Sequence, residues 1–167
     1  NRRPIQHHEP YQNGTEYTEV DDFITKGITS YKHTERFEAE LRHVTGAEQC
    51  IAVSCGTAAL HLSLLATGVR AGEEVLVPTL TYAATANAVT YVGATPNFID
   101  GTLCLNPFKL RQYLGREFKK AADGRGCINK ATDKVVSALI MVHLLGTPCD
   151  VKAIRRITDE FNLILVE

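Results

Sequence analysis

From Cys50 to the end of the chain, short uninterrupted apolar runs alternate with helix-like segments, and this alternation limits the fold more than any other feature. The runs are Ile51-Ala52-Val53, Glu74-Val75-Leu76-Val77, Pro96-Asn97-Phe98-Ile99-Asp100, the stretch 135–143, and Leu163-Ile164-Leu165-Val166. Uninterrupted runs suit strands covered on both faces. Between them, 58–67 reads as a helix closed by Gly68, and 82–91 as a helix ended by Gly93. Asn106-Pro107 opens a third helix in the favoured order of cap and first-turn residue, with Leu110, Tyr113 and Leu114 inward. Asp150 caps a fourth, in which Val151, Ile154, Ile157 and Phe161 form an apolar stripe. The polar stretch 116–133, with Gly124 and Gly126, reads as a loop. Such alternation predicts an α/β fold, a mainly parallel sheet flanked by helices. Ligands of these sheets sit beyond the carboxyl ends of the strands. Here those ends are 54–57, 78–82, 100–102, 143–146 and whatever follows Glu167.

Residues 1–45 read as a separate, peripheral helical segment, and 46–167 as the α/β domain. In 15–26, Tyr17, Val20 and Ile24 share one helical face, and Gly27 ends the segment. Thr34 is placed to cap a second helix with Phe37, Leu41 and Val44 inward, closed by Gly46. The 18 Lys and Arg against 19 Asp and Glu give a net charge of -1. That balance supplies no field for gathering nucleic acid or an anionic membrane. The longest apolar run, 135–145, is too short to span a bilayer and contains His143. The first 20 residues are polar and charged, unlike a signal peptide, so a cytoplasmic protein is expected. Five cysteines without a C-x-x-C pair indicate neither a metal site nor a disulfide framework. The chain begins at Asn1 and stops on an apolar run, so a piece of a longer protein is expected.

Several residues at the predicted carboxyl edge could carry chemistry. Ser54-Cys55-Gly56-Thr57 lies between a strand and a helix, where unpaired N–H groups favour an anion such as phosphate. From the local pattern alone the same turn reads first as a tight connection with Thr57 as helix cap. It is neither a Walker loop nor a G-x-G-x-x-G fingerprint, which sets aside a generic dinucleotide-binding domain. Tyr82 follows the next strand, and its ring could stack on a planar ligand or form a wall of the core. His143, ending an apolar strand, reads as a satisfied core residue rather than a catalyst. Cys55 beside a helix start could be an activated thiol, although no His stands at a recognisable spacing from it. His7 and His8 have no partner at metal-ligand spacing.

Together these segments resemble a known family. The run 52–61, Ala-Val-Ser-Cys-Gly-Thr-Ala-Ala-Leu-His, is similar to its phosphate-binding turn. The run 72–78 followed by Thr81-Tyr82-Ala83-Ala84-Thr85-Ala86-Asn87-Ala88 is similar to the next strand and its aromatic turn. Val142-His143-Leu144-Leu145-Gly146 with Asp150 is similar to a later strand and helix start. The pattern is that of the DegT/DnrJ/EryC1/StrS sugar aminotransferases, over residues from about Pro4 to Glu167. The resemblance implies the N-terminal part of a fold-type-I large domain that binds pyridoxal 5'-phosphate, incomplete over 46–167. It implies that Gly56 and Thr57 hold the cofactor phosphate and that Tyr82 stacks on the pyridine. Asn87 and His143 would be substrate-pocket positions. The Asp that pairs with the pyridine nitrogen and the Schiff-base Lys would both lie beyond Glu167. No catalytic residue is therefore expected among these 167, and the chain alone is expected to be inactive.

The parent would be a homodimer that moves an amino group, from glutamate, to a nucleotide-linked keto-sugar for cell-surface polysaccharide. Cys127-Ile128-Asn129-Lys130 resembles the branch that aminates C4 of UDP-linked 4-keto-6-deoxy-N-acetylhexosamines, a LegC-like enzyme. Two alternatives remain: relatives with His in place of the Lys dehydrate the sugar at C3, and a half-chain could be a non-catalytic pseudoenzyme. The run 28–33 departs from the family pattern, which has an aromatic residue and then a Gly after Gly27.

Overall fold

The computed structural model describes residues 13–26, 31–99, 103–122 and 124–167. It divides the chain into two units, Asn1–Ala52 and Val53–Glu167.

In the first unit, α1 (Glu16–Lys26) is started by its own first residue. The Glu16 carboxylate accepts the N–H groups of Asn13 at 3.0 Å and Gly14 at 2.9 Å, satisfying donors that a helix start leaves open. The second helix, α2 (Lys32–Thr45), begins two residues before the expected cap, with Tyr31 at the cap position and Thr34 inside the helix. Gly46 ends it as expected: φ of 73° lets its N–H reach Arg42 O at 2.8 Å. An Arg36–Glu19 ion pair of 2.9 Å links the two helices. The inward face predicted for α2 is corrected, and the face that Tyr17, Val20 and Ile24 share on α1 is not buried either. Tyr17, Val20, Ile24, Phe37, Leu41 and Val44 are all exposed, because two short helices offer each other only one line of contact. Val20, Phe23 and Phe37 line the groove between them. Gly27 and the run 28–30 lie outside the described residues, as do His7 and His8.

A second correction concerns Ile51-Ala52-Val53, which forms no strand. Ile51 is exposed, and the Ala52 N–H goes to the Glu38 carboxylate at 2.7 Å instead of to a ladder.

The second unit is the α/β sheet. Its elements are α3 (Gly56–Ala66), β1 (Glu74–Pro78), α4 (Ala83–Tyr91), β2 (Thr95–Ile99) and α5 (Pro107–Glu117). They continue as β3 (Phe118–Lys120), β4 (Cys127–Asn129), β5 (Val135–Ile140), α6 (Val151–Glu160) and β6 (Ile164–Val166). β1 lies between β2 and β5, and all three are parallel. The far side of β5 is shared: β4 pairs antiparallel with its first half and β6 parallel with its second. The alternation of side chains builds two cores. Leu76, Val136 and Leu139 face α5 and α6, against Leu110, Leu114, Ile154 and Ile157. Val75, Val77, Ala138, Ile140 and Val166 face α3 and α4, against Leu64, Ala88 and Val89.

Local chemistry explains the helix starts. Asn106 accepts the Lys109 N–H at 3.1 Å, with Pro107 in the first turn, and Asp150 accepts the Ala153 N–H at 3.0 Å. The expected loop 116–133 instead contains the hairpin β3–β4, whose three-residue strands are too short and too polar to stand out. Gly126 is required there: φ is +67°, and a Cβ would lie 2.0 Å from Val136 O. The strand expected to run to His143 stops at Ile140, and 141–143 belong to no regular element.

Candidate functional site

The four parallel strands end on one edge, at Pro78, Ile99, Ile140 and Val166. Three structural features meet this edge. The first is the start of α3. This helix of 11 residues is about 16 Å long, the same as a five-residue strand. It returns through 67–73 to the amino end of β1 and packs Leu64 against Val75 and Val77, so its first turn lies at the carboxyl edge. Cys55 holds the cap position in extended conformation and gives no side-chain cap. The first intrahelical bond is Ala59 N–H to Cys55 O at 3.0 Å. The N–H groups of Gly56, Thr57 and Ala58 thus precede the helical ladder. Thr57 lies inside the helix and is not its cap. The Ala58 N–H, with the Ser54 hydroxyl and the N–H and hydroxyl of Thr57, holds the exposed Cys55 thiol below its usual pKa. These donors converge where a negative charge is stabilised. Space around the Gly56 Cα is open: a Cβ at this position would meet nothing within 4 Å.

The second feature is the turn from β1 into α4. Tyr82 is the cap residue of α4, and its carbonyl accepts the Thr85 N–H at 3.0 Å. Tyr82 is 80% exposed, so among the described residues it forms no wall of the core. The Thr81 and Thr85 hydroxyls share a hydrogen bond of 2.9 Å that braces the turn. Asn87 is exposed further along α4.

The third feature lies beyond β5 and β6. His143 leads into a single 3-10 turn, Leu144–Gly146, in which Leu145 has φ of +52°, a region that a branched side chain rarely adopts. His143 Nδ1 accepts the Cys149 N–H at 3.0 Å, and Nε2 lies 2.8 Å from Glu167 Oε1. Sequence reasoning does not single out Glu167 or Cys149. The signal for Glu167 is its place at the end of a parallel strand. The ends at 100–102 lie outside the described residues.

The Cys127–Lys130 run sits elsewhere. Asn129 is buried at the opposite, amino edge, where its amide donates to Glu74 Oε2 at 2.8 Å. Burial raises the Cys127 pKa to about 12, with a smaller contribution from Glu74. This run is tied into the sheet, away from the carboxyl edge. Among the described residues no helix is long and apolar enough to cross a membrane.

Comparison with known proteins agrees with this fold. Residues 10–167 match the DegT/DnrJ/EryC1/StrS aminotransferase family. The chain is 34% identical over 165 residues to a GDP-perosamine synthase of Escherichia coli O157:H7, covering 96% of this chain and 40% of that protein. Among solved structures, an aminotransferase from Psychrobacter cryohalolentis superposes with a TM-score of 0.73 at 27% identity, over 93% of this chain and 36% of that one. The PLP form of Spr1654 from Streptococcus pneumoniae gives 0.71 at 28% identity, over 90% of this chain and 35% of that one. The chain thus spans about 40% of the length of the curated relative it matches.

Proposed function

Because the chain belongs to the DegT/DnrJ/EryC1/StrS aminotransferase family, we propose that the protein of which these residues form part is a pyridoxal-phosphate aminotransferase. Its acceptor is a nucleotide-linked keto-sugar aminated at C4, and its donor is glutamate. The observation that carries this reading is the first turn of α3 at the carboxyl edge of the sheet, where the N–H groups of Gly56, Thr57 and Ala58 precede the helical ladder and no side chain caps them.

These residues fit the cofactor. The N–H groups of Gly56, Thr57 and Ala58 and the Thr57 hydroxyl bind its phosphate, at the positive end of the helix dipole. An open Gly56 leaves the backbone approachable. The exposed Tyr82 ring covers one face of the pyridine. Asn87 and His143 line the sugar side. Pyridoxal phosphate supplies the electron sink and the carbonyl carbon that transamination needs. By the family resemblance the residues that hold its nitrogen and receive its proton are not among these 167, and on this reading the 167 residues alone are inactive. A homodimer and a cytoplasmic location belong to the same reading. The GDP-linked amino sugar named for the relatives supports the nucleotide-sugar class. Asn129 and its neighbours support no choice of nucleotide, since they serve the amino edge.

The test uses the complete gene product with pyridoxal phosphate, reduced with borohydride and mapped by peptide mass. The expected result is a cofactor–lysine adduct beyond Glu167, together with glutamate-dependent amination of a GDP- or UDP-linked 4-keto-sugar. Bound cofactor without a lysine adduct overturns the aminotransferase reading in favour of dehydration, and absence of binding overturns both.

A further inference from the structure

We propose that His143 is a positioning residue: a neutral imidazole of fixed tautomer that ties the carboxyl end of β5 to that of β6 through Glu167. The tautomer follows from the hydrogen bonds. Nδ1 accepts the Cys149 N–H at 3.0 Å, so it carries no proton of its own. The ring hydrogen therefore sits on Nε2, which donates to Glu167 Oε1 at 2.8 Å. The donor on Nδ1 is itself well anchored. Cys149 is buried, its thiol donates to Val142 O at 3.3 Å, and the next residue, Asp150, caps α6. The ring orientation is thus set by the start of α6.

The bond falls where the backbone ladder runs out. β5 and β6 pair as Ala138–Ile164, Leu139–Leu165 and Ile140–Val166, and the Met141 N–H reaches Val166 O at 2.8 Å. Beyond that point the tie passes from main chain to side chain, as His143–Glu167. The strained Leu145 follows closely. A hydrogen-bonded side-chain pair at this point holds the rim in one shape while its surroundings stay open: the Glu167 side chain is 52% exposed and that of His143 30%. The effect on ligand binding rests on the reading given under Proposed function; the tautomer and the tie do not.

The test takes the complete gene product, its His143→Phe, Glu167→Ala and Glu167→Gln variants, and the double variant. Long-range proton–nitrogen spectra of the imidazole should show Nε2–H with a bare Nδ1; an Nδ1–H ring or a charged ring overturns the proposal. His143→Phe and Glu167→Ala should each weaken pyridoxal phosphate binding about tenfold, the double variant no more than either, and Glu167→Gln less than about twofold. Additive losses, or no loss, overturn it. If His143→Phe does not fold, the two half-exposed Glu167 variants decide alone. If the unaltered protein binds no pyridoxal phosphate, the functional reading fails separately. Amide exchange at 164–167 then decides: faster exchange in Glu167→Ala with Glu167→Gln unchanged supports the tie, and equal rates in all three refute it.

Discussion

At the amino edge of the sheet the buried Glu74 carboxylate takes three side-chain donors, whereas at the carboxyl edge the first turn of α3 offers its N–H groups without a side-chain cap. Glu74 is 3% exposed. Asn97 and Asn129 donate to its Oε2 at 2.8 Å each, and Thr132 to its Oε1 at 2.7 Å. One carboxylate thereby joins β1, β2, β4 and the turn before β5. Buried polar groups are tolerable when their partners are complete. The carboxyl edge has the opposite character: Cys55, Gly56, Tyr82 and Leu145 are exposed. One edge commits its polar groups to the fold; the other leaves the first-turn N–H groups of α3 without a side-chain cap, as the proposed cofactor seat requires.

The strongest way to break this contrast is at Glu74. Glu74→Ala strands two amides and a hydroxyl in a buried site and should cost about 3–5 kcal/mol of stability, read by denaturant unfolding of the complete gene product. A loss below about 1 kcal/mol would show that the amino edge is not held by this carboxylate. Burial by itself would raise the Glu74 pKa, but the Asn129 and Asn97 amides, the Thr132 hydroxyl and the Lys134 charge outweigh it and hold the value below the ordinary one. Its stabilisation is therefore complete above the ordinary glutamate pKa and is lost as pH falls through the lower folded value. Glu74→Gln should flatten that acid limb of stability and leave the neutral region pH-independent.

Thiol reactivity sharpens the contrast next. Cys55 is exposed with a lowered pKa, while Cys127 is buried and pushed to about 12. Iodoacetamide at neutral pH should alkylate Cys55 faster by on the order of a hundredfold or more, followed by peptide mass. Pyridoxal phosphate should protect Cys55, since both draw on the same donors. Equal rates, or no protection, would remove the anion seat from α3.

How far the sequence discloses each edge follows from the range of its interactions. β1 and β5 are legible because burial on both faces leaves uninterrupted apolar runs, and the Asn106 and Asp150 caps because capping is local. The turn proposed to seat the ligand is visible for the same reason: Ser54 to Thr57 are neighbours in sequence at the start of α3. Glu74 is not, because its donors lie 23, 55 and 58 residues away. The β3–β4 hairpin is hidden by Lys119, Lys120 and Asn129 in strands of three residues. Ile51 to Val53 mislead in the other direction, since an apolar run becomes a strand only where a neighbour pairs with it. The same limit applies to Tyr17 and Phe37, whose helical spacing is correct but whose faces have little to pack against.

A smaller effect is expected at Thr57. Its hydroxyl is one donor among several, so Thr57→Ala should weaken pyridoxal phosphate binding about tenfold, as for one hydrogen bond to a charged group. Stability should stay within about 0.5 kcal/mol, because the helix ladder is untouched. Unchanged affinity would leave only main-chain donors at the seat.

The smallest effect is expected at Tyr82, where it separates stacking from hydrogen bonding. The exposed ring contributes little to the core, so neither Tyr82→Phe nor Tyr82→Ala should move the melting temperature appreciably. A stacked ring is worth about 0.5–1.5 kcal/mol beyond the area it covers. Tyr82→Ala should then weaken cofactor binding at least a few-fold, while Tyr82→Phe, which keeps the ring and loses only the hydroxyl, should bind as the unaltered protein does. If Phe were as damaging as Ala, the hydroxyl would be the working group, and Tyr82 would belong with Thr57 among the polar donors of the edge. If neither mattered, its exposure would be that of an ordinary cap residue. The contrast between the two edges would then rest on α3 and on His143 alone.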